Sequence, residues 1–149
     1  MKKILLLSAM CLMSIALSAQ KIVDLGLPSG TQWKTTNELV FYTYDDAVSK
    51  FGKNLPTKAQ FDELKEYCEW IWVGRGFKVV GPNGSFIFLP ASGFVDCEER
   101  VGGVGFEGYY WSSTPTNTFD AWNITFKSDA VNIYDDERCN GQSVRLVQD

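Results

Sequence analysis

Gly108-Tyr109-Tyr110-Trp111-Ser112-Ser113-Thr114, Ala121-Trp122-Asn123-Ile124-Thr125-Phe126 and Asn140-Gly141-Gln142-Ser143-Val144-Arg145-Leu146-Val147 are the stretches whose reading decides the fold. Each is short, rich in aromatic or β-branched residues, and bounded by polar residues, which is the pattern of a strand. Ala130 to Tyr134 pairs with Ala121 to Phe126 around Lys127-Ser128-Asp129, and Gln142 to Val147 is expected as a closing strand. Alternation sends neighbouring side chains to opposite faces, so a regular strand cannot turn both Tyr110 and Trp111 inward. Trp111 and Trp122 are expected in the core, Tyr109 and Tyr134 near the surface.

Upstream the periodicity changes. Ile22 to Leu27 reads as a strand, Pro28-Ser29-Gly30 as a turn, and Thr31-Gln32-Trp33 as its continuation. Thr43 can cap a short helix with Asp46 three residues on, and Gly52 stops it. Thr57 and Gln60 form a capping box for a second helix, along which Phe61, Leu64, Cys68 and Ile71 recur at helical spacing. Phe77–Val80 and Ser85–Leu89 flank Gly81-Pro82-Asn83-Gly84, a hairpin signal. Residues 91–107 are polar and glycine-rich and read as one long loop. Two short helices followed by a run of strands make an α+β domain.

The first nineteen residues form a secretory signal peptide by pattern: Lys2 and Lys3, an apolar run Ile4–Leu17, and small residues Ser18 and Ala19 at the cleavage point. The run is shorter than the roughly 20 apolar residues of a spanning helix, so no membrane span is expected in the mature chain. Residues 20–149 then form one domain. Loss of Lys2 and Lys3 takes the formal charge from −4 to −6, which disfavours nucleic acid as a partner. Cys68, Cys97 and Cys139 remain, and three cysteines cannot all pair within one molecule. Cys97 and Cys139 lie in polar sequence and are the candidate disulfide, though spacing alone does not fix connectivity. Cys68 lies on a helical apolar face and reads as a buried free thiol.

The chain has no histidine, which removes the usual general base and the commonest metal ligand. No C-x-x-C spacing is present for zinc, so neither a metal nor a cofactor is expected. Gly103-Val104-Gly105-Phe106-Glu107-Gly108 matches G-x-G-x-x-G, but no strand–helix context surrounds it, and it reads as a surface loop. The acidic clusters Asp96, Glu98, Glu99 and Asp135, Asp136, Glu137 read as solvated loops rather than a calcium site. Asn123-Ile124-Thr125 fits a glycosylation sequon but lies inside an expected strand.

The chain resembles the Fibrobacter succinogenes major paralogous domain of secreted bacterial proteins. The likeness rests on Val23-Asp24-Leu25-Gly26-Leu27-Pro28-Ser29-Gly30 ahead of Trp33, Leu55-Pro56-Thr57, Cys68-Glu69-Trp70, Gly81-Pro82-Asn83-Gly84 with Ile87-Phe88-Leu89-Pro90-Ala91, Gly108 to Ser113, and Ser143-Val144-Arg145. The resemblance implies a C-type-lectin-like fold: two short helices packed on small antiparallel sheets, close termini and a long loop region. Proteins of that fold include sugar-binding lectins, variable receptor-binding proteins and formylglycine-generating enzymes. Trp122-Asn123 is followed here by Ile124, unlike the Trp-Asn-Asp strand of calcium-dependent lectins, and Cys139 lacks the close cysteine partner of the formylglycine-generating enzymes.

The expected function is therefore a secreted, periplasmic or bacterial cell-surface domain that binds a surface glycan or protein ligand without catalysis. The candidate contact residues are Asn117, Asp120, Asn132, Tyr134, Asp135, Asp136, Arg138 and Asn140, where polar side chains crowd between aromatic strands. Two alternatives stand beside it. A glycan-active enzyme working through Asp and Glu alone requires two carboxylates in one cleft. A purely structural envelope protein would show no concave or aromatic patch.

Overall fold

Tyr110 and Trp111 are adjacent in one strand, and neither exposes any surface. A computed structural model describes residues 21–149, and the signal peptide expected over residues 1–19 lies outside the described residues. The elements run β1 (Ile22–Asp24), β2 (Gln32–Lys34), α1 (Tyr44–Phe51), α2 (Lys58–Tyr67), β3 (Glu69–Trp72), β4 (Gly76–Val80) and β5 (Phe86–Pro90). They continue with β6 (Phe94–Val95), β7 (Val101–Gly102), β8 (Glu107–Pro115), β9 (Asp120–Lys127), β10 (Ala130–Glu137) and β11 (Val147–Gln148). The strands form sheets β1-β2-β11, β3-β4-β5 and β8-β9-β10 and a ribbon β6-β7, with antiparallel pairing throughout these named strands. Among the described residues, two helices with several small antiparallel sheets is the α+β arrangement expected. The first and last strands, β1 and β11, both pair with β2.

Both helix starts follow from local chemistry. Thr43 Oγ1 accepts the Asp46 backbone N–H at 3.3 Å, and α1 ends at Gly52, whose φ of 51° favours glycine. At α2, Thr57 Oγ1 accepts from Gln60 N–H at 3.1 Å and Gln60 Oε1 accepts from Thr57 N–H at 2.9 Å, a complete capping box. The helix stops earlier than the apolar spacing predicts. Cys68 caps it in extended backbone, and Ile71 belongs to β3. Tertiary pairing decides this: Trp70 sits opposite Val79 in β4, packs edge-on against Phe77, and donates its indole N–H to the Leu64 carbonyl at 3.2 Å. Cys68 is a free, half-buried thiol that burial pushes up to about 11.

Two further expectations change. The region 91–107 is not one loop but contains the β6-β7 ribbon, tied to the C-terminal segment by reciprocal Val95–Gly141 backbone bonds of 2.9 and 2.7 Å. Residues 142–146 are not a strand. Gln142 bridges to Tyr42, Ser143 to Tyr110 and Gly141 to Val95, so the segment threads between three neighbours instead of following one. The 81–84 hairpin tip is docked: Asn83 Nδ2 donates to the Asp24 carbonyl at 2.9 Å, and a side chain at Gly81 would collide with the Leu25 backbone.

Tyr110 and Trp111 are both buried, although alternation keeps them from sharing a face. They do point to opposite faces, but both faces are covered. Tyr110 enters one cluster with Trp33, Phe61, Phe77, Ile124 and Phe126, while Trp111 enters another with Tyr44, Ala47, Leu55, Ala121 and Val144. Trp122, expected in the core, is only half-buried, with the Lys58 ammonium 5.0 Å from its ring centroid.

Arg145 is buried at 1% exposure between these layers. Its guanidinium donates to Asn37 Oδ1 at 2.8 Å, the Lys34 carbonyl at 3.2 Å and the Phe88 carbonyl at 2.7 Å. Asn37 Nδ2 in turn donates to the Tyr110 oxygen at 2.9 Å, and the Tyr110 hydroxyl donates to the Pro90 carbonyl at 2.7 Å. Burial pulls the Arg145 guanidinium down to about 10 and pushes Tyr110 up to about 12, so both keep their neutral-pH forms. A lysine has one ammonium where arginine has a planar fork, and it leaves at least one buried acceptor unmet. Arg145→Lys is therefore expected to lower the unfolding free energy by about 3 kcal/mol, measured by denaturant titration.

Candidate functional site

The face of the β8-β9-β10 sheet that carries Trp111 is covered by α1 at only one end. Register places Tyr109 opposite Thr125 and Trp111 opposite Asn123 across β8 and β9, and Asn132 opposite Thr125 and Tyr134 opposite Asn123 across β9 and β10. Beyond Trp111 and Ala121 this face is polar and open. It forms a groove of two adjoining cavities, about 430 and 240 Å³, which share Tyr109, Thr125 and Tyr134. Phe94 and Asp96 of the β6-β7 ribbon wall one end, with Phe94 packed edge-on against Tyr109 at 4.9 Å. Glu107, Lys127 and Asn132 line the other end.

A directed hydrogen-bond chain runs beneath the groove. The Thr125 hydroxyl donates to Asn123 Oδ1 at 3.1 Å, Asn123 Nδ2 donates to Gln142 Oε1 at 3.1 Å, and Gln142 Nε2 donates to Asp136 Oδ2 at 2.8 Å. Asp136 also accepts from Asn140 Nδ2 and from the Glu137 backbone N–H, each at 2.9 Å. An ionised carboxylate only accepts, so Asp136 fixes the orientation of every amide behind it. Asn123 and Gln142 are 1% and 0% exposed. The sequon asparagine is thus a buried link in this chain, as its place inside a strand implied.

The carboxylates of the groove lie in unlike environments. Asp96 accepts two backbone N–H bonds, from Glu98 and Arg100, and the Arg100 Nε–H at 2.8 Å. These hold it below the usual carboxylate range, the Arg100 backbone bond most of all. Desolvation by burial raises Asp136 instead, against the pull of its hydrogen bonds. Tyr109 is pushed up to about 12 by burial and by Glu107, whose Oε2 accepts its hydroxyl at 3.3 Å.

The structure divides the eight candidate contact residues. Asn132, Tyr134, Asp135, Asp136 and Asn140 line the groove. Asn117, Asp120 and Arg138 instead gather around the β8–β9 turn. There Asn117 Oδ1 accepts the backbone N–H groups of Phe119 and Asp120 at 2.7 and 2.9 Å, and its Nδ2 donates to Asp120 Oδ2 at 3.1 Å. Arg138 donates to the carbonyls of Asn117 and Asp120, lies 4.7 Å from the Tyr44 ring centroid, and faces Asp45 at 3.6 Å. Those polar groups hold the turn together. Asp120 and Arg138 border a separate cavity of about 630 Å³ with exposed Phe119 at its edge. Sequence reasoning missed Phe94, Asp96, Tyr109, Asn123, Thr125 and Gln142 as site residues. Carrying the 127–130 hairpin register across to β9 would have put Asn123 and Thr125 beside Tyr134 and Asn132.

The Cys97–Cys139 disulfide is present, with Cα atoms 5.1 Å apart. It ties the loop after β6 to the end of β10, beside the groove. Among the described residues, the one group of three Cys or acidic ligand atoms close enough for a metal is Cys97, Glu137 and Cys139. The bridge occupies both sulfurs and leaves a single carboxylate. Nor does the G-x-G-x-x-G stretch start a helix, for 103–106 is a turn and β8 follows.

A family model described as a domain of unknown function (DUF8237) matches residues 78–147. The matched stretch runs from β4 to the first residue of β11 and takes in every residue of the groove. No curated protein and no solved structure matches the chain. No described helix is long and apolar enough to cross a membrane.

Two measurements follow from this geometry. The disulfide closes a loop with a sequence separation of 42. Reducing it, or replacing both cysteines by serine, is expected to lower stability by about 4 kcal/mol in the chain-entropy model, read by thermal or denaturant unfolding. Carboxyl NMR titration should place Asp136 above, and Asp96 below, the ordinary aspartate value. A raised carboxyl binds protons more tightly folded than unfolded, so its contribution to stability grows as pH falls through its folded value. Wild type should accordingly gain stability relative to Asp136→Asn on acidification toward the ordinary value, measured by denaturant unfolding across that range.

Proposed function

We propose that the chain is a secreted or cell-surface recognition domain of C-type-lectin-like architecture, which holds a ligand in the groove of the β8-β9-β10 face without transforming it. The observation that carries this reading is a concave, aromatic-walled groove on a sheet whose opposite face is core. Phe94, Tyr109 and Tyr134 supply flat apolar surface, and the buried Asn123–Gln142 chain fixes the polar floor in place. Such a concave aromatic patch weighs against a purely structural envelope role. The likeness to the Fibrobacter succinogenes major paralogous domain remains part of the proposal. Its support is the meeting of β1 and β11 on β2, the two helices, and the contact between the Asp24–Gly26 stretch and the 81–84 hairpin.

One observation favours the glycan-active alternative: Asp96 and Asp136 line one cavity with titrations displaced in opposite directions, the pattern of a paired base and acid. On that reading Asp136 would be the acid, and Asp136→Asn would abolish hydrolysis of a chromogenic glycoside that the wild type cleaves.

The binding reading is tested on a glycan and peptide array with wild type and Tyr134→Ala. Tyr134 is 55% exposed, so its truncation leaves the core alone. Loss of most of the signal, about tenfold or more, is the expected result. Binding that survives Tyr134→Ala unchanged places the contact surface elsewhere.

A further inference from the structure

Besides the Tyr134 hydroxyl and the Asn132 amide, the groove presents mainly acceptors. Thr125 and Tyr109 each commit a hydroxyl proton to a neighbour, Thr125 to Asn123 and Tyr109 to Glu107, so each presents only lone pairs to an incoming group. Asp136 has acceptor capacity alone, and so do Asp96 and Asp135 beside it. The committed orientations follow from Asp136: its charge forces Gln142 to turn Nε2 toward it, which forces Asn123 to donate and Thr125 to donate in turn.

Charge points the same way. The larger cavity is lined by Asp96, Asp135 and Asp136 and by no basic residue. Arg100, the nearby cation, is engaged with Asp96 at 2.8 Å and Glu98 at 2.9 Å. Lys127 stands at the far end of the smaller cavity, opposite Glu107 across the β8–β9 pair. Asp136 is half-buried and, among the described residues, makes no ion pair; its hydrogen-bond partners are two amides and a backbone N–H. Tyr134, Tyr109 and Phe94 border the same space, and aromatic rings attract a cation held among them.

We propose that the groove recognises a protonated amine, an ammonium group seated among Asp136, Thr125 Oγ1 and the rings of Tyr109 and Tyr134. This deepens the recognition reading and rests on it. An ammonium brings three N–H donors and one positive charge, which answers both the acceptor surplus and the carboxylates of Asp135 and Asp136, which no cation meets among the described residues. A neutral hydroxyl or acetamide in the same place lacks the charge. Asn132, whose side chain makes no hydrogen bond among the described residues, and the exposed Tyr134 can serve the rest of the ligand.

The test uses two matched pairs on the purified protein: D-glucosamine against N-acetyl-D-glucosamine, and Nα-acetyl-lysine amide against its Nε-acetylated form. Binding is followed by NMR through the side-chain amide signals of Asn123 and Gln142, which report on the groove floor directly. At least one amine is expected to shift these signals at about tenfold lower concentration than its acetylated counterpart, in keeping with a charged hydrogen-bond partner. Which pair responds tells an amino sugar from a lysine side chain. Asp136→Asn should erase most of that preference. Equal binding of amine and acetylated forms overturns the amine proposal and leaves the recognition groove standing. So does a neutral array ligand that binds in a Tyr134-dependent way while both amines stay silent. Silence of all four compounds, together with an array signal indifferent to Tyr134→Ala, overturns both.

Discussion

A buried guanidinium must have its N–H groups answered, and the answer for Arg145 is distributed over the whole chain. Its acceptors come from the end of β2, the loop after it, and β5. Through Asn37 the same network reaches Tyr110 in β8, and through Tyr110 it returns to Pro90. Each of the three larger sheets thus holds one side of a single polar knot. All three acceptors of the guanidinium are neutral, so its positive charge is held by two backbone carbonyl dipoles and the Asn37 side-chain amide. Moving any one sheet strands a buried polar atom on another. Hydrophobic contacts tolerate sliding; a fork of three hydrogen bonds does not. This is how small sheets with few strands each keep a fixed relation to one another.

The groove is a consequence of that arrangement. With Tyr110 pinned by Asn37 and Pro90, one face of β8 is committed to the main core. The opposite face then carries Trp111, which donates its indole N–H to the Tyr42 carbonyl at 2.9 Å and is covered by Tyr44 of α1. Helix α1 is only eight residues long and covers only that end. The remaining length of the face belongs to polar side chains that alternate with core residues: Asn123 and Thr125 on either side of Ile124, Asn132 and Tyr134 on either side of Ile133. Gly108 marks how close the core side comes, since a side chain there would enter the Phe126 ring. A short helix over a long strand leaves a gap, and the disulfide-tied ribbon walls one end of it.

Local features were legible in the sequence because their causes are local. Thr57 and Gln60 cap α2 through atoms three residues apart, and Asn83-Gly84 turns its hairpin by backbone preference. Where distant partners decide, the residues read differently. Ile71 continues the helical spacing of Phe61 and Leu64, yet β4 claims it, because Trp70 finds both Phe77 and the Leu64 carbonyl only from a strand. Val144 and Arg145 have strand-like neighbours, but their segment meets Tyr42, Val95 and Tyr110 in turn and so belongs to no single ladder. The site was half visible for the same reason. Tyr134, Asp136 and Asn140 were found by their crowding along the chain. Tyr109, Asn123 and Phe94 reach the groove from other strands, and Asn117 and Arg138, equally crowded in sequence, fold away to close a turn.

The same hydrogen bonds weigh on the choice between holding a ligand and transforming it. A general acid needs a proton that the site favours and can release toward the ligand. Asp136 is raised by burial, but its donors, Gln142, Asn140 and the Glu137 backbone, all favour the ionised form and oppose the proton. A nucleophile or base needs a lone pair free to point at its target. Asp96 is clamped by two backbone N–H groups and the Arg100 side chain, with its charge already compensated. The two carboxylates thus differ in affinity for protons, and the hydrogen bonds around each support the proposed reading as a binding site. What the groove does possess is a negative field over a floor of amides whose orientation cannot reverse while Asp136 stays charged, and this supports the proposed selection of a partner by its charge and its donors.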